Sequence, residues 1–397
     1  MKPYKYKVLL ISSQPVQYAV PIYRLIEQNS SVDLTVAFCT LQGAEAGLDP
    51  GFGIAIQWDI PLLDGYKWIK LKNYSPKPEL GSFWGLINGG LFSLIKSGQF
   101  DAVIIHTGYT CANFWITVLA CKLGNVPLLF NTDAHSIEPR DRQKWKTLIK
   151  KLILPRIFKL ADIVTAPSTG AFNFVHSLGI PKDRIQATCY TVDNDWWKSQ
   201  SQKVDRTTVR KRWGIPIDAR VALFCAKLQP WKRPQDALQA FAAAKVPDSY
   251  LVIAGDGPMR SELEEEAKRL KISTYVRFLG FVNQSELPSV YTSSDVFLFT
   301  SEYEPFGVVV NEAMLCKCPV IASDQVGAGI DLIVPGHTGM IYEAKNIQDL
   351  SENLSKLLLD SDLLQKMSLS AFQKIQAWSP DVAADTLCQG IMKAIEQ

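Results

Sequence analysis

The chain has 397 residues, of which 47% are hydrophobic and 20% charged, an ordinary globular balance with length enough for two cores rather than one. A net charge of +3, with no basic run interleaved with aromatic residues, excludes a nucleic-acid groove and leaves charge to act locally. The 8 cysteines are scattered singly apart from Cys316-Lys317-Cys318 and form no Cys-x-x-Cys pair, so they read as reduced core fillers rather than zinc ligands or disulfides.

Met1 to Lys7 is basic, but the apolar run after it, Val8 to Ile11, is too short for a signal peptide or a membrane span, and the expected location is the cytoplasm. That continuous run reads as a buried parallel strand, with Ser12 to Tyr18 as its exit loop and Ala19 to Glu27 as a helix. Val32 to Phe38 is the next strand. Such alternation predicts a doubly wound sheet whose ligands lie beyond the carboxyl ends of the strands. In the first exit loop Gln14, Gln17 and Tyr18 either hydrogen-bond a ligand or cap the helix and pack locally. Residues 41 to 80, rich in glycine, proline and aromatics, read as a loop-rich excursion with little periodicity before Gly65 to Leu71.

Phe100 to Tyr109 is a second buried strand, ending in His106. The ring either donates from one nitrogen to a ligand hydroxyl while the protein orients the other, or simply closes the strand. Val126 to Phe130 follows, and in its exit loop Asp133 and His135 are ligand contacts or local caps. From Arg140 to Leu160 the cations Arg140, Arg142, Lys144, Lys146, Lys150, Lys151, Arg156 and Lys159 stand against the single acid Asp141. Trp145, Leu148, Ile149 and Leu152 are spaced as one helical stripe beside those cations. The helix either lies on an anionic membrane, at the inner face, or turns its stripe to its own sheet.

Polar Ser199 to Arg206 marks a domain boundary, after which the alternation restarts with Val221 to Ala226. Its exit loop carries Lys227 and Lys232, two cations placed for an anion or plain surface lysines. Tyr250 to Pro258 is a strand followed by the turn Gly255-Asp256-Gly257-Pro258, and Val276 to Gly280 is the next strand. The apolar run Val296 to Phe299 leads into Ser301-Glu302-Tyr303-Glu304-Pro305-Phe306-Gly307-Val308-Val309-Val310-Asn311-Glu312, read as strand, loop and helix. Free N–H groups at that helix start favour an anion, and Glu304 and Glu312 are acceptors for pairs of sugar hydroxyls.

The Glu304-x7-Glu312 spacing around Pro305-Phe306-Gly307, preceded by Lys227, Lys232 and the Gly255 turn and followed by Gly336-His337-Thr338-Gly339, resembles the retaining glycosyltransferases of family 4. The resemblance implies the GT-B fold: two Rossmann-like, doubly wound parallel-sheet α/β domains facing a central cleft, with a C-terminal helix crossing back to the first. Residues 1–203 are the expected acceptor domain, 204–377 the nucleotide-sugar domain and 378–397 the returning helix, broken from what precedes it at Pro380.

By the same resemblance His106, Glu304, Lys227 and Lys232 carry catalysis. Lys227, Lys232, Gly255, Asp256, Arg277, Phe278, Glu304, Phe306, Gly307, Val308, Val309 and Glu312 hold the donor, and Gln14, Gln17, Tyr18, Asp133 and His135 the acceptor. Lys227 departs from the family's usual arginine and supplies charge without a planar fork. No metal and no cofactor is implied beyond a UDP- or GDP-linked sugar as substrate. The implied reaction is sugar transfer with retention, in polysaccharide or glycoconjugate synthesis. The competing readings are an epimerase or phosphorylase on the same fold, and a non-catalytic nucleotide-sugar binder.

Overall fold

The computed structural model describes residues 5–49, 51–137 and 144–397, with Lys144 described by its backbone alone; Arg140, Asp141 and Arg142 lie outside the described residues. Its strands are β1 (Tyr6–Ser12), β2 (Val32–Phe38), β3 (Gly47–Asp49), β4 (Ile54–Ile56), β5 (Lys67–Lys70), β6 (Ala102–Ile105), β7 (Leu128–Asn131), β8 (Ile163–Ala166), β9 (Ile185–Ala187), β10 (Arg220–Cys225), β11 (Ser249–Ala254), β12 (Val276–Gly280), β13 (Val296–Phe299), β14 (Val320–Ser323) and β15 (Gly339–Tyr342). One parallel sheet runs β5-β2-β1-β6-β7-β8-β9 and a second β12-β11-β10-β13-β14-β15, while β3 and β4 form an antiparallel hairpin.

The long apolar runs become central strands because helices cover both faces of each sheet, leaving no side of Val8 to Ile11 or Val221 to Leu223 for water. Strand order reverses next to β1 in the first sheet and next to β10 in the second. The loops leaving those two strands, Ser13 onward and Ala226 onward, therefore sit at topological switch points, where an open α/β sheet leaves room for a ligand.

The chain divides into two compact units. Unit 1 is Met1–Ala46, Pro61–Thr191 and Pro380–Gln397, and unit 2 is Gly47–Ile60 and Val192–Ser379. The sequence reading put the first boundary after residue 203, but the helix Asn194–Gln202 packs within unit 2: Asn194 donates to the carbonyls of Ile375 and Trp378, and Trp197 meets Tyr291 edge to face at 5.9 Å. The helix Pro380–Ile395 lies in unit 1, burying Ala383, Leu387 and Ile391. A Cβ on its Gly390 would stand 2.9 Å from Gln186 Cγ on β9, so the helix packs close to that strand and a larger residue would have to push the glutamine aside.

Within the expected loop excursion, Gly47–Ile60 leaves unit 1 and attaches to unit 2. Phe52 meets Phe281 edge to face at 5.0 Å, Asn283 Nδ2 donates to the Gln57 carbonyl at 2.9 Å, and Ser285 N donates to Asp59 at 3.0 Å. The hairpin β3-β4 is the tip of this segment.

The helix Lys144–Phe158 does not turn its stripe to its own sheet. Leu154, Ile157 and Phe158 face the sheet and are buried, while Trp145, Leu148, Ile149 and Leu152 are exposed. Among the described residues no helix is long and apolar enough to cross a membrane.

Candidate active site

In unit 2 the strand ends β10 and β13 deliver the two loops that the sequence singles out. Lys232 ends a short 3-10 turn, Pro230–Lys232, and the next residue, Arg233, is left-handed (φ +53°) and clamped to Asp236 by bonds of 3.0 and 2.7 Å. Thr300, just past β13, donates its hydroxyl to the carbonyls of Lys232 and Arg233, so the lysine loop and the glutamate loop are fixed to one another. The Lys232 ammonium pairs directly with the Glu304 carboxylate, and both side chains are mostly buried.

The glutamate loop is held from behind by residues 325 to 328. Gly327 N donates to the Glu304 carbonyl at 3.0 Å and Ala328 N to the Phe306 carbonyl at 2.8 Å. Gly327 must be glycine, since a Cβ would meet the Pro305 carbonyl oxygen at 2.0 Å. Gly307 is left-handed (φ +98°), and a Cβ there would lie 2.5 Å from the Phe299 ring. Phe306 is buried and stacks on Trp378, so its ring anchors the loop. The helix Val309–Leu315 then starts at Val308 with no side chain capping it.

Glu312, one turn into that helix, is buried and accepts a hydrogen bond from the Tyr291 hydroxyl at 3.1 Å. Burial pushes its carboxyl up to about 8, against the opposing hydrogen bonds of Tyr291 and Gln284. Burial thus favours the protonated, neutral carboxyl around neutral pH.

Lys227 holds a partner that sequence reasoning missed. Its ammonium lies 2.7 and 2.9 Å from the two carboxylate oxygens of Asp49, on β3, and 4.7 Å from the centre of the Phe52 ring. Burial raises the Asp49 pKa, but the Lys227 pair and the backbone N–H groups of Gly51 and Phe52 outweigh it and hold the carboxyl below its ordinary range. Gln229 donates to the Gly51 carbonyl at 3.3 Å, tying the hairpin to the lysine loop a second time.

The remaining donor candidates are placed less openly. Gly255 (φ +138°) and Gly257 (φ +152°) are needed because the backbone of the lysine loop passes against them: a Cβ at Gly255 would meet the Ala226 carbonyl oxygen at 2.0 Å. Asp256 caps Gly257 N at 2.8 Å and pairs with Arg260 at 3.3 Å, and Arg260 lies over Phe278. Arg277 was expected beside a nucleobase, but its guanidinium donates to the carbonyls of Trp213, Gly214, Thr274 and Val276 and stacks on Tyr250. In this structure it ties β12 to the loop after the helix Arg206–Arg212.

Unit 1 carries a cavity of about 370 Å³ over the carboxyl ends of its strands. Gln14, Tyr18, His106 and Asp133 line it together, joined by Ser12, Tyr109, Asn131, Tyr190 and Thr191, with Ala383 and Leu387 of the last helix closing one side. The functional candidates missed in sequence, Ser12, Asn131 and Tyr190, share one signal: each stands at or just beyond a strand end. Gln17 and His135 are not among the lining residues; the His135 Cβ packs 3.5 Å from where a Gly170 Cβ would stand.

His106 follows β6 directly, and its backbone N–H donates to the Ile11 carbonyl at 2.9 Å. Its Nε2 is buried with no hydrogen-bond partner among the described residues. Burial lowers its pKa to about 4, which keeps the ring neutral. The Gln14 amide oxygen is likewise buried and without a hydrogen-bond partner among the described residues. Burial, and secondarily the Asp133 carboxylate, raise the Tyr18 phenol to about 12. Unmet hydrogen-bonding atoms beside aromatic rings suit a ligand that offers hydroxyls and C–H faces.

Residues 205–374 match the family model described as Glycosyl transferases group 1. The chain is 32% identical over 216 residues to an N-acetyl-alpha-D-glucosaminyl L-malate synthase of Bacillus anthracis, an alignment that covers 54% of this chain and 55% of that protein. It is 26% identical over 320 residues to a D-inositol 3-phosphate glycosyltransferase of Corynebacterium glutamicum (strain R), covering 76% and 75%. The chain spans only about half the length of the first of these relatives. Its fold is similar to the crystal structure of Anabaena HepE in complex with UDP and glucose, with a TM-score of 0.74 and 18% identity over 98% of this chain and 99% of that one. Together these findings show the GT-B fold of two parallel-sheet α/β domains for this chain, in which residues 205–374 are similar to the glycosyl transferases group 1.

Proposed function

We propose that the protein is a retaining, metal-independent glycosyltransferase of family 4. It takes a sugar from a nucleotide-sugar, UDP-linked before GDP-linked, and delivers it to an acceptor hydroxyl on a saccharide or lipid-linked carrier. The reading is carried by one observation: Lys227 and Lys232 leave the switch-point strand of unit 2 on a loop fastened to the one that presents Glu304. The neighbour bound to UDP and glucose supports the choice of donor.

In this reading both ammonium groups neutralise the departing diphosphate, a role that a divalent ion plays elsewhere. Each pairs with a carboxylate of the chain, Lys227 with Asp49 and Lys232 with Glu304, so the donor arrives by exchange of anions rather than by desolvation of bare cations. Glu304, freed by that exchange, accepts hydrogen bonds from donor-sugar hydroxyls, and the protonated Glu312 binds the ribose. In unit 1, His106 hydrogen-bonds a sugar hydroxyl as a neutral ring, with Gln14, Tyr18 and Asp133 holding the acceptor. The anomeric carbon–phosphate bond breaks and the acceptor oxygen bonds to that carbon on the same face. The leaving phosphate oxygen accepts the acceptor's proton.

The test is a thermal-shift series with UDP-, GDP-, ADP- and CMP-sugars in the presence of a chelator. At about a hundred times its dissociation constant the correct donor adds roughly 2.7 kcal/mol of stability. Stabilisation by one nucleotide class, weakened in Lys232→Ala, supports the assignment. No shift with any class, or a shift that vanishes with chelator, overturns it.

A further inference from the structure

The carboxyl edge of the unit 1 sheet carries a second cavity, of about 510 Å³, that the proposed reaction does not use. It lies over the ends of β2 and β5, since Cys39 directly follows the first strand and Leu71 the second. Its wall on the β1 side is shared with the cavity that contains His106. Cys39 N donates to the Ser12 carbonyl and Thr40 N to the Ser13 carbonyl, both at 3.0 Å. The two serines line the first cavity, and Cys39 and Thr40 line the second. The cavities are therefore neighbours along one sheet edge, separated by the exit loop of β1.

Fully buried amides hold this second space in shape. Asn88 donates to the carbonyls of Cys39 at 3.3 Å and Leu71 at 3.2 Å, bridging the two strand ends. It is itself fixed by Asn113 through bonds of 2.8 and 2.7 Å. Pro78, Glu79 and Leu80 form another wall, in a loop whose neck Asn73 ties: its Nδ2 donates to the Gly85 carbonyl at 3.0 Å and its Oδ1 accepts from Ile87 N at 2.9 Å. A Cβ on Gly85 would meet the Glu79 carbonyl oxygen at 1.9 Å, so the wall folds back on itself too closely for another residue there. Buried polar groups satisfied around the rim make the cavity a fixed feature of the fold rather than slack between side chains.

The lining offers donors and acceptors together. The Lys70 ammonium lies 3.2 Å from Glu45, with both side chains more than half exposed, and the Lys72 ammonium lies 5.0 Å from the centre of the Tyr74 ring. Glu79 adds a carboxylate, Thr40 a hydroxyl, and Leu71, Leu80 and Leu86 an apolar surface. Two ammonium groups beside two carboxylates select neither an anion nor a cation. A sugar hydroxyl, by contrast, donates to a carboxylate and accepts from an ammonium, and the C–H face of the ring suits the leucines.

We infer that this cavity is a saccharide subsite. It takes a neutral sugar residue adjacent to the one held beside His106, so the acceptor is a chain of at least two sugars. Naming a saccharide rests on the reading of unit 1 as the acceptor domain; the place and frame of the cavity do not.

The experiment measures binding by saturation-transfer NMR on the full chain, with methyl glycosides of glucose, galactose and mannose set against the methyl glycosides of their disaccharides. The variant is Lys72→Met with Glu79→Ala, two exposed positions, and a thermal melt verifies that it is folded. In at least one sugar series the disaccharide should bind about tenfold more tightly than the monosaccharide, and the variant should cut that advantage to about threefold or less. Equal binding of mono- and disaccharides, an advantage that survives in the variant, or no binding of any probe up to about 10 mM overturns the subsite. UDP thermal shifts on the same samples test the transferase reading separately. Disaccharide preference without a nucleotide shift keeps the subsite and removes the transferase, and a nucleotide shift without disaccharide preference does the reverse.

Discussion

Glu312 and His106 are two buried titratable groups with opposite preferences, and pH separates them. The Glu312 carboxyl rises to about 8 when folded, so between the unfolded value near 4.5 and about 8 the native state holds a proton that the unfolded chain releases. Its contribution to stability is whole below that window and fades as pH climbs through it. His106 falls to about 4, so between about 6.5 and 4 the unfolded chain binds a proton that the native ring refuses, and stability is lost as pH falls. Glu312→Gln keeps the neutral, hydrogen-bonding shape of the protonated acid. It should flatten the decline in melting temperature from pH 5 to 8, by about 1.4 kcal/mol per unit of removed shift, and hold nucleotide within about threefold of the unchanged protein. Glu312→Ala should lose more than tenfold. Equal losses in both variants, measured by calorimetric titration with UDP, would contradict a neutral donor at this position.

At the scale of the element, the hairpin around Asp49 works as an internal anion. Under the proposed function, removing its charge while keeping its shape, by Asp49→Asn, takes away a competitor that a donor would have to displace from Lys227. UDP binding should tighten by roughly three- to tenfold, as expected of a half-buried ion pair, whereas Lys227→Ala should weaken it. Looser binding in Asp49→Asn would mean that the carboxylate positions Lys227 rather than blocking it. Nothing in Gly47-Leu48-Asp49 announces this contact, because its partner lies 178 residues away and short polar loops carry no periodic signal. The parallel strands were legible for the opposite reason: a strand buried on both faces must be apolar throughout, as in β1, β6, β10 and β13. The helix Lys144–Phe158 falls between these cases. Spacing reveals which residues share a face, but not which way that face points; the exposed stripe and the buried Leu154, Ile157 and Phe158 are equally helical in period. Arg277 shows the same limit in a single side chain, since an arginine in a strand is readable as a cation and its backbone acceptors are not.

For the whole molecule, two units with separate cores, one around Phe130 and one around Phe224 and Leu298, should report separately on a ligand that touches one of them. In differential scanning calorimetry saturating UDP should move only the transition of unit 2, by several degrees, and leave that of unit 1 in place. Movement of the other transition alone would place the nucleotide in the wrong half.

The helix Pro380–Ile395 gives the molecule a particular order of birth. Unit 1 is encoded on both flanks of Val192–Ser379, so a chain emerging from the ribosome lays down β1 to β9 long before the segment that buries Ala383, Leu387 and Ile391. Until then the surface those side chains cover, on the helix Val20–Gln28 and on β7 to β9, stays open to water and to other nascent chains. Unit 2 needs no such wait except for Gly47–Ile60, which has already been made. The domain encoded in the middle is thus the one able to mature first, and the domain that begins the chain is the last to be finished.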